Sequence, residues 1–531
     1  MRQSVKIAAG VLVPVLLVAG AVVLRGQGQT DGALLFEEVR QRVAATAIDS
    51  LTGDAVWERA ARGLVSGLHD PYAGLYSPAE LASFSRNMLR NDYGGVGMQI
   101  QDQLGTIVVG GIFPRTPAAA AGVQTGDRIL SIDSVTATGL KIDEVSARLI
   151  GQVGTPVTVT FGRPGVKEPL RMRFTRAVVH VPAVPYVIML EGNVGYIPLQ
   201  RFNDASAGEV RQSIVRLRRE GARSFVLDLR GNPGGSLEES VAISNLFLPP
   251  GRPIVSVRYR GKPAEVARSS GTPVLPVAPL VVLLDGSTAS ASEIVAGALQ
   301  DHDRALIVGT TSYGKGVVQS LFPLHQGWGL KLTTAAWFTP SGRSIQRSRR
   351  WHNGAPDSGT ATVADAPDSL EGDSVRHARP VFHSDGGRTV YGGGGITPDV
   401  IVSADTLTTP EQVLLRALAP KSQQSYAALY NLALGLKPAV HTDFQVQPAW
   451  RERWHSQLDS IGVRITPQEF EAARPLVNRL LENRVSSIAF GDSSAFRRSV
   501  PDDGQLIRAL EMLRTTPTQA GLLAQAGRPP G

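Results

Sequence analysis

The stretch from about residue 185 to 310 constrains this chain most. Strand-like and helix-like runs alternate there: NVGYIPL, DASAGEVRQSIVRLRREG, SFVLDLR, LEESVAISNLFL, LVVLLD, SASEIVAGALQD and ALIV. Repeated strand–helix–strand order joins strands through crossover helices and implies an α/β layer with a largely parallel sheet. The strand runs are continuously apolar rather than alternating, as expected when both faces of a sheet are covered.

The flanks have other textures. Residues 34–93 read as helical: LLFEEVRQRVAATAIDSL and AVWERAARGLVSGL carry apolar residues at helical intervals, and Ser77-Pro78-Ala79-Glu80 opens a helix in capping-box form. From Tyr93, short β-type runs separated by glycines take over (GGVGMQI, GTIVVGGI, DRILSIDSV, TPVTVTFGR, LRMRFTRAVV), with DEVSARLI as a short helix. Two stretches of this unit resemble a PDZ domain: Gly94-Gly95-Val96-Gly97 placed before a strand, and TPAAAAGVQTGDRILSID at 116–133. A PDZ domain takes up the C-terminus of another polypeptide as an added strand, with backbone N–H groups holding the carboxylate. The resemblance makes Gly94, Gly95, Val96 and Gly97 the expected peptide-binding residues. Residues 348–388, rich in Ser, Asp, Gly and Pro, read as an inserted polar loop. Residues 407–531 are again helical, and Thr466-Pro467-Gln468-Glu469 combines a capping box with proline in the first turn.

The N-terminal run IAAGVLVPVLLVAGAVVL, residues 7–24, has no charge and is about long enough to span a bilayer. Arg2 and Lys6 precede it, so the N-terminus is expected to stay cytoplasmic and the body to be exported. Ala19-Gly20-Ala21 also resembles a signal-peptidase site, which allows a cleaved signal and release into the periplasm in place of an inner-membrane anchor. The chain has no cysteine, which removes disulfides, thiolate metal sites and a catalytic thiol. Its nine histidines show no metal-binding spacing. The net charge of +8 is spread out, with RSRR at 347–350 the densest basic cluster, so nucleic acid is not an expected partner.

GTTSYGKG, residues 309–316, is nearly a phosphate loop. Such a loop needs Ser or Thr after the lysine and a helix afterwards. Here Gly316 follows Lys315, and VVQSLFPL reads as a strand. If that strand includes Lys315, then Lys315, Val317 and Gln319 share one face. Ser290 in DGSTASASE lies between the apolar run LVVLLD and a helix. Free N–H groups at that helix start would stabilise an oxyanion. Ser290-Ala291-Ser292-Glu293 also fits an ordinary capping box. A hydroxyl nucleophile needs a base. Asp301 and His302 lie about 16 Å or more down the helix axis and cannot reach. Lys315, arriving from the next strand, can. As a base it must be neutral, so its ordinary value of about 10.4 must fall through burial.

The block GSTASASEIVAGALQDHDRALIVGTTSYGKGVVQSLFPL resembles the signature of the carboxyl-terminal processing, or tail-specific, serine proteases. LDLRGNPGGSLEESVAISNLFL at 227–248 resembles their second block, and VSGLHDPYAGLYSPAEL, TPSGRSIQ and GGGGITPDVIV match further segments in the family's order. The resemblance implies a crotonase-like α/β catalytic core with a small β region, plus an inserted α+β PDZ domain. It implies Ser290 as nucleophile, Lys315 as general base and Gln319 orienting the lysine. Backbone N–H groups of Ala291, Gly234 and Gly235 would form the oxyanion hole, Asp301 matches an acidic position of the family, and Glu293 shapes the helix start. No cofactor or metal is implied. Family members often carry a basic residue near LIxGxxGT, whereas RLIGQVGT here has Ile150. The expected organisation is a membrane segment at 1–25, helices at 33–92, the PDZ domain at 93–180, the catalytic domain at 185–405 and a helical extension at 407–531. Expected partners are unfolded or tagged proteins through their C-termini, the membrane, and further copies of the same protein. The rival reading is a catalytically silent PDZ scaffold.

Overall fold

The computed structural model describes residues 31–49, 51–88, 92–347, 351–352, 355–356, 379–403 and 407–526. The apolar run at 7–24 and much of the 348–388 stretch lie outside these residues. Among the described residues no helix is long and apolar enough to cross a membrane. The protein divides into two compact units.

The first unit comprises residues up to Pro78 together with Ser320–Thr333. It contains helices α1 (Asp31–Thr46) and α2 (Gly53–Ser66) and strand β1 (Gly74–Tyr76), which pairs antiparallel with residues 329–331. Thr52 caps α2 by accepting from Ala55 N, the role expected of a short hydroxyl before a helix.

The second unit begins with α3 (Pro78–Met88) and a β module at 92–180. The module holds β2 (Asp92–Gly95), β3 (Met98–Gln103), β4 (Thr106–Ile112), α4 (Pro117–Ala120), β5 (Arg128–Ile132) and β6 (Val135–Thr136). It continues with α5 (Ile142–Leu149), β7 (Pro156–Gly162), β8 (Leu170–Thr175) and β9 (Ala177–His180). The antiparallel sheet runs β3-β4-β5-β7-β8, so β3 lies at its edge, and β2 pairs with β9 as a separate ribbon. Alternation on β7 buries Val157, Val159 and Phe161 in one core.

The α/β region follows as β10 (Ile188–Leu190), β11 (Val194–Pro198), α6 (Ser206–Arg219), β12 (Ser224–Asp228), α7 (Leu237–Ser244), β13 (Pro253–Tyr259) and β14 (Glu265–Arg268). Then come β15 (Leu280–Leu284), α8 (Ala291–Asp301), β16 (Leu306–Gly309), β17 (Val317–Pro323) and β18 (Gly329–Phe338). Two short hairpins, β19 (Trp351–His352) with β20 (Ala355–Pro356) and β21 (Val381–His383) with β22 (Thr389–Tyr391), precede β23 (Val400–Ile401). The main sheet has six strands in the order β10-β11-β12-β15-β16-β23, all parallel except β10. The small β region pairs β13 with β14 and with residues 335–338.

Because strand side chains alternate between faces, each apolar run serves two cores. Phe225 and Leu227 of β12, Leu280, Val282 and Leu284 of β15, and Ile307 of β16 pack with Val210, Ile214, Val295 and Leu299 of α6 and α8. Val226, Val281, Leu283, Leu306 and Val308 face the other way. That second face is covered by two late helices, α15 (Gly504–Thr515) and α16 (Gln519–Ala524), through Leu506, Ala509, Met512, Leu513 and Leu522. Between β23 and α15 lie α9 (Thr409–Leu418), α10 (Ser422–Leu436), α11 (Pro448–Ser460), α12 (Pro467–Ala472), α13 (Arg474–Phe490) and α14 (Asp492–Ser499). The first five bury Trp454, Leu458, Val477, Leu481 and Val485 among themselves. α10 also rests on the β module: Tyr430 donates to Val109 O at 3.2 Å, and a Cβ on Gly126 would lie 2.5 Å from Leu434 Cδ1.

Candidate active site

Ser290 is the residue immediately before α8, at the end of the turn that follows β15. Its backbone stands at φ 56°, ψ −117°. An ordinary N-cap has extended backbone, and a non-glycine residue at positive φ costs about 1–3 kcal/mol. Such strain on a sharp strand-to-helix turn is the way a nucleophilic serine is lifted out of its backbone. Glu293 supplies one arm of a capping box by accepting from Ser290 N at 2.8 Å. In the other arm the Ser290 hydroxyl approaches the Glu293 N–H as a cap would, but too loosely to make a capping hydrogen bond. The hydroxyl is therefore not spent on ending the helix.

Glu293 does more than start α8. Its carboxylate is fully buried and accepts four hydrogen bonds: from Ser290 N, from Ser312 Oγ at 2.5 Å, from Gly314 N at 2.7 Å and from Lys315 N at 2.9 Å. Burial pushes its carboxyl up, and the four donors offset only part of that rise, leaving it above the ordinary range. One oxygen, Oε2, holds the main-chain nitrogens of both Ser290 and Lys315. The backbone of GTTSYGKG thus wraps a protein carboxylate where a phosphate loop would wrap phosphate. β16 ends at Gly309 and the next element is β17, a strand, which removes the nucleotide reading.

Lys315 is half-buried and sits two residues before β17, not within it. The shared-face expectation for Lys315, Val317 and Gln319 therefore holds only from Val317 onward. The loop outranks the strand here because Glu293, Trp337 and Gln346 claim its polar groups. Trp337 Nε1 donates to Lys315 O at 3.0 Å, and Gly316 N donates to Gln346 Oε1 at 2.8 Å. A Cβ on Gly316 would lie 2.9 Å from Gln346 N, and one on Gly314, at φ 87°, would lie 2.9 Å from Arg347 Cβ. Glycine on both sides of Lys315 is what permits this close wrapping.

The opposite wall is the loop after β12. Asn232, which sequence reasoning missed, is its fully buried hub. It donates to Leu199 O at 2.7 Å, its own carbonyl accepts from Ala289 N at 3.0 Å and Ser292 Oγ at 3.1 Å, and its Oδ1 accepts from Gly234 N at 2.9 Å. Gly234 is thereby committed and is not available as an oxyanion donor. Gly235 N and Ala291 N donate to no described residue. A Cβ on Gly234 would lie 2.8 Å from Ala291 N and 2.9 Å from Ser290 Cβ, so the two loops touch. The only local signal for Asn232 was its place before Pro233, which reads as any turn.

Asp301 lies at the far end of α8, where it pairs with the buried Arg343 at 2.7 Å and accepts from Ser341 N at 2.9 Å. It braces the fold and does not meet Ser290. Gln319 lies in β17, half-buried.

A cavity of about 510 Å³ lies beside the edge strand β3 and α5, lined by Val96, Gly97, Met98, Ile100, Ile142 and Leu149 among others. Val96 and Gly97 N–H donate to no described residue, while their carbonyls accept from Ala118 and Phe113. Gly94 and Gly95 do not line it. They pair with Val178 and Ala177 in β9, and a Cβ on Gly94 would strike Gly151 O at 2.1 Å. Those two glycines serve close packing. Ile150 lines the cavity as well.

Residues 193–353 match the family model of peptidase family S41, and residues 108–163 match that of a PDZ domain. The class is therefore a serine peptidase bearing a PDZ domain. The sequence is 38% identical over 317 residues to the carboxy-terminal-processing protease of Bartonella bacilliformis, covering 59% of this chain and 72% of that protein. It is 37% identical over 304 residues to the carboxyl-terminal-processing protease of Picosynechococcus, covering 56% and 72%. It is 32% identical over 294 residues to the carboxy-terminal processing protease CtpA of Bacillus subtilis, covering 55% and 62%. The chain belongs to the carboxy-terminal processing proteases of peptidase family S41.

Proposed function

We propose that this protein is an exported endopeptidase that captures unstructured protein C-termini in its PDZ groove and cleaves peptide bonds with a Ser290–Lys315 pair. The observation that carries the reading is the strained backbone of Ser290 at the start of α8, joined through Glu293 Oε2 to the main chain of Lys315. In this reading Ser290 Oγ attacks the scissile carbonyl and the neutral Lys315 amine takes its proton. The same lysine then returns the proton to the leaving amine. Ala291 N–H and Gly235 N–H, which donate to no described residue, receive the developing oxyanion, helped by the positive end of α8. Gln319 orients the lysine. The substrate C-terminus adds as a strand to β3, with its carboxylate on Val96 and Gly97 N–H. Export rests on the apolar run at 7–24.

The test is a digest of unfolded, apolar-ended proteins by the native enzyme and by Ser290→Ala, with new C-termini mapped by mass spectrometry. Cleavage only by the native enzyme is expected. Equal cleavage by the variant rejects Ser290, and binding without cleavage by the native enzyme favours the scaffold reading.

A further inference from the structure

The groove beside β3 contains a residue that does not come from the β module. Arg201 follows β11, in the catalytic region, yet it lines the same cavity as Val96, Gly97 and Ile150. It is the only cation among the described lining residues. The residue is half-buried, and its guanidinium makes no hydrogen bond or ion pair with any described residue. Neighbouring cations are committed. Arg176 donates to Leu149 O and Arg148 O, Arg163 holds Asp127, and His180 lies between Asp92 and Glu209. The groove's own acids are also placed: Asp92 is the one held by His180, and Asp143 sits in the first turn of α5.

A cation kept partly out of water without a partner is costly unless an anion joins it. A peptide that adds to β3 brings one such group, its terminal carboxylate. Arginine adds to the main-chain donors a charged pair of parallel N–H groups that matches a carboxylate. Arg201 is also joined to the reaction side. Its neighbour Phe202 forms a parallel bridge with Gly235: Phe202 N donates to Gly234 O at 3.2 Å, and Phe202 O accepts from Ser236 N at 2.9 Å. A Cβ on Gly235 would lie 2.1 Å from Phe202 O, so the contact has no slack.

We propose that Arg201 is the carboxylate ligand which the catalytic region contributes to the PDZ groove, and that by holding the peptide end it acts as a positioning residue for the Gly234–Gly235 loop. The inference rests on the groove being the peptide site.

Binding is measured with the full-length protein bearing Ser290→Ala, using a labelled apolar-ended peptide as free acid and as C-terminal amide. With Arg201 present, the acid is expected to bind about tenfold or more tightly than the amide, the size of a charge-assisted hydrogen bond. Arg201→Gln should lower that ratio several-fold, with amide affinity unchanged, and Arg201→Lys should restore part of it. An undiminished ratio in Arg201→Gln overturns the assignment while leaving the groove as the peptide site. Failure of the parent protein to bind either peptide overturns both. In the Ser290 enzyme, free-acid peptide added in trans should raise kcat for an amidated reporter several-fold. Arg201→Gln should abolish that rise, and an equal rise in the variant overturns the positioning role.

Discussion

At the residue scale the site is organised by a carboxylate that does no chemistry. Glu293 fixes the two loops that carry Ser290 and Lys315, and it has four donors and no cation among its hydrogen bonds. Glu293→Gln turns an amide NH₂ toward N–H groups, so we expect a loss of about 1–3 kcal/mol in stability, read by urea unfolding, and a parallel loss of kcat. Ser290→Ala should lower kcat at least about 10³-fold without a fall in melting temperature, since it removes only a hydroxyl. Lys315→Arg should be equally inactive, because a guanidinium does not give up its proton at working pH. Retained turnover in Lys315→Arg would exclude Lys315 as the base. The turn that holds Ser290 and the loop that holds Lys315 were legible in the sequence, because the apolar run before Ser290, the helical pattern after it and the glycines around Lys315 mark where they fall. Asn232 was not, because an Asn-Pro turn is common and its burial exists only once Leu199, Ala289 and Ser292 have converged on it.

At the element scale the parallel sheet was legible in its apolar runs, and the alternation within each run says that two layers must cover it. One layer, α6 to α8, lies between the strands in sequence. The other comes from α15 and α16, far along the sequence from the strands they cover, which no local pattern announces. Leu506→Ala, fully buried on that face, should cost about 2–5 kcal/mol. A melting temperature that fails to drop would show that α15 is not part of the core. Where β9 meets α6, His180 Nδ1 lies 2.9 Å from Asp92 Oδ1 and its Nε2 2.8 Å from Glu209 Oε1, so that the protonated ring donates to both carboxylates. Burial lowers its pKa, but the two carboxylates outweigh burial and leave it raised. Its stabilising contribution is therefore fully present below the ordinary value of about 6.5 and fades as pH rises through the raised one. An NMR titration of His180 should show a midpoint above the ordinary value, and Glu209→Gln should move it down. A midpoint unmoved by Glu209→Gln would show that the contact between the β module and α6 is not electrostatic.

At the scale of the whole molecule, the helices after residue 407 are part of the working body. They touch the β module through Tyr430, and Asp503 pairs with Arg230 at 2.7 Å at the end of β12. In the sequence this region reads as an appendix, since amphipathic helices reveal their own spacing and not what they will cover. Removing residues from 503 onward should leave the protein insoluble or without a cooperative unfolding transition, and a truncated protein that still melts cooperatively would refute the covering role. α16 is stitched to the sheet by Gln519, whose Oε1 accepts from Leu280 N at 2.8 Å and from the buried Arg304 at 3.3 Å. This stitch has a consequence in time. A polypeptide emerges from its N-terminal end, and its early parts fold first. Ser290 and Lys315 are therefore made long before the helices that seal the sheet beneath them. Until α15 and α16 arrive, one face of that sheet stays wet and the turn that holds Ser290 rests on an unfinished floor. Any reaction that depends on that turn is thus deferred until the two late helices have been made and have covered the sheet.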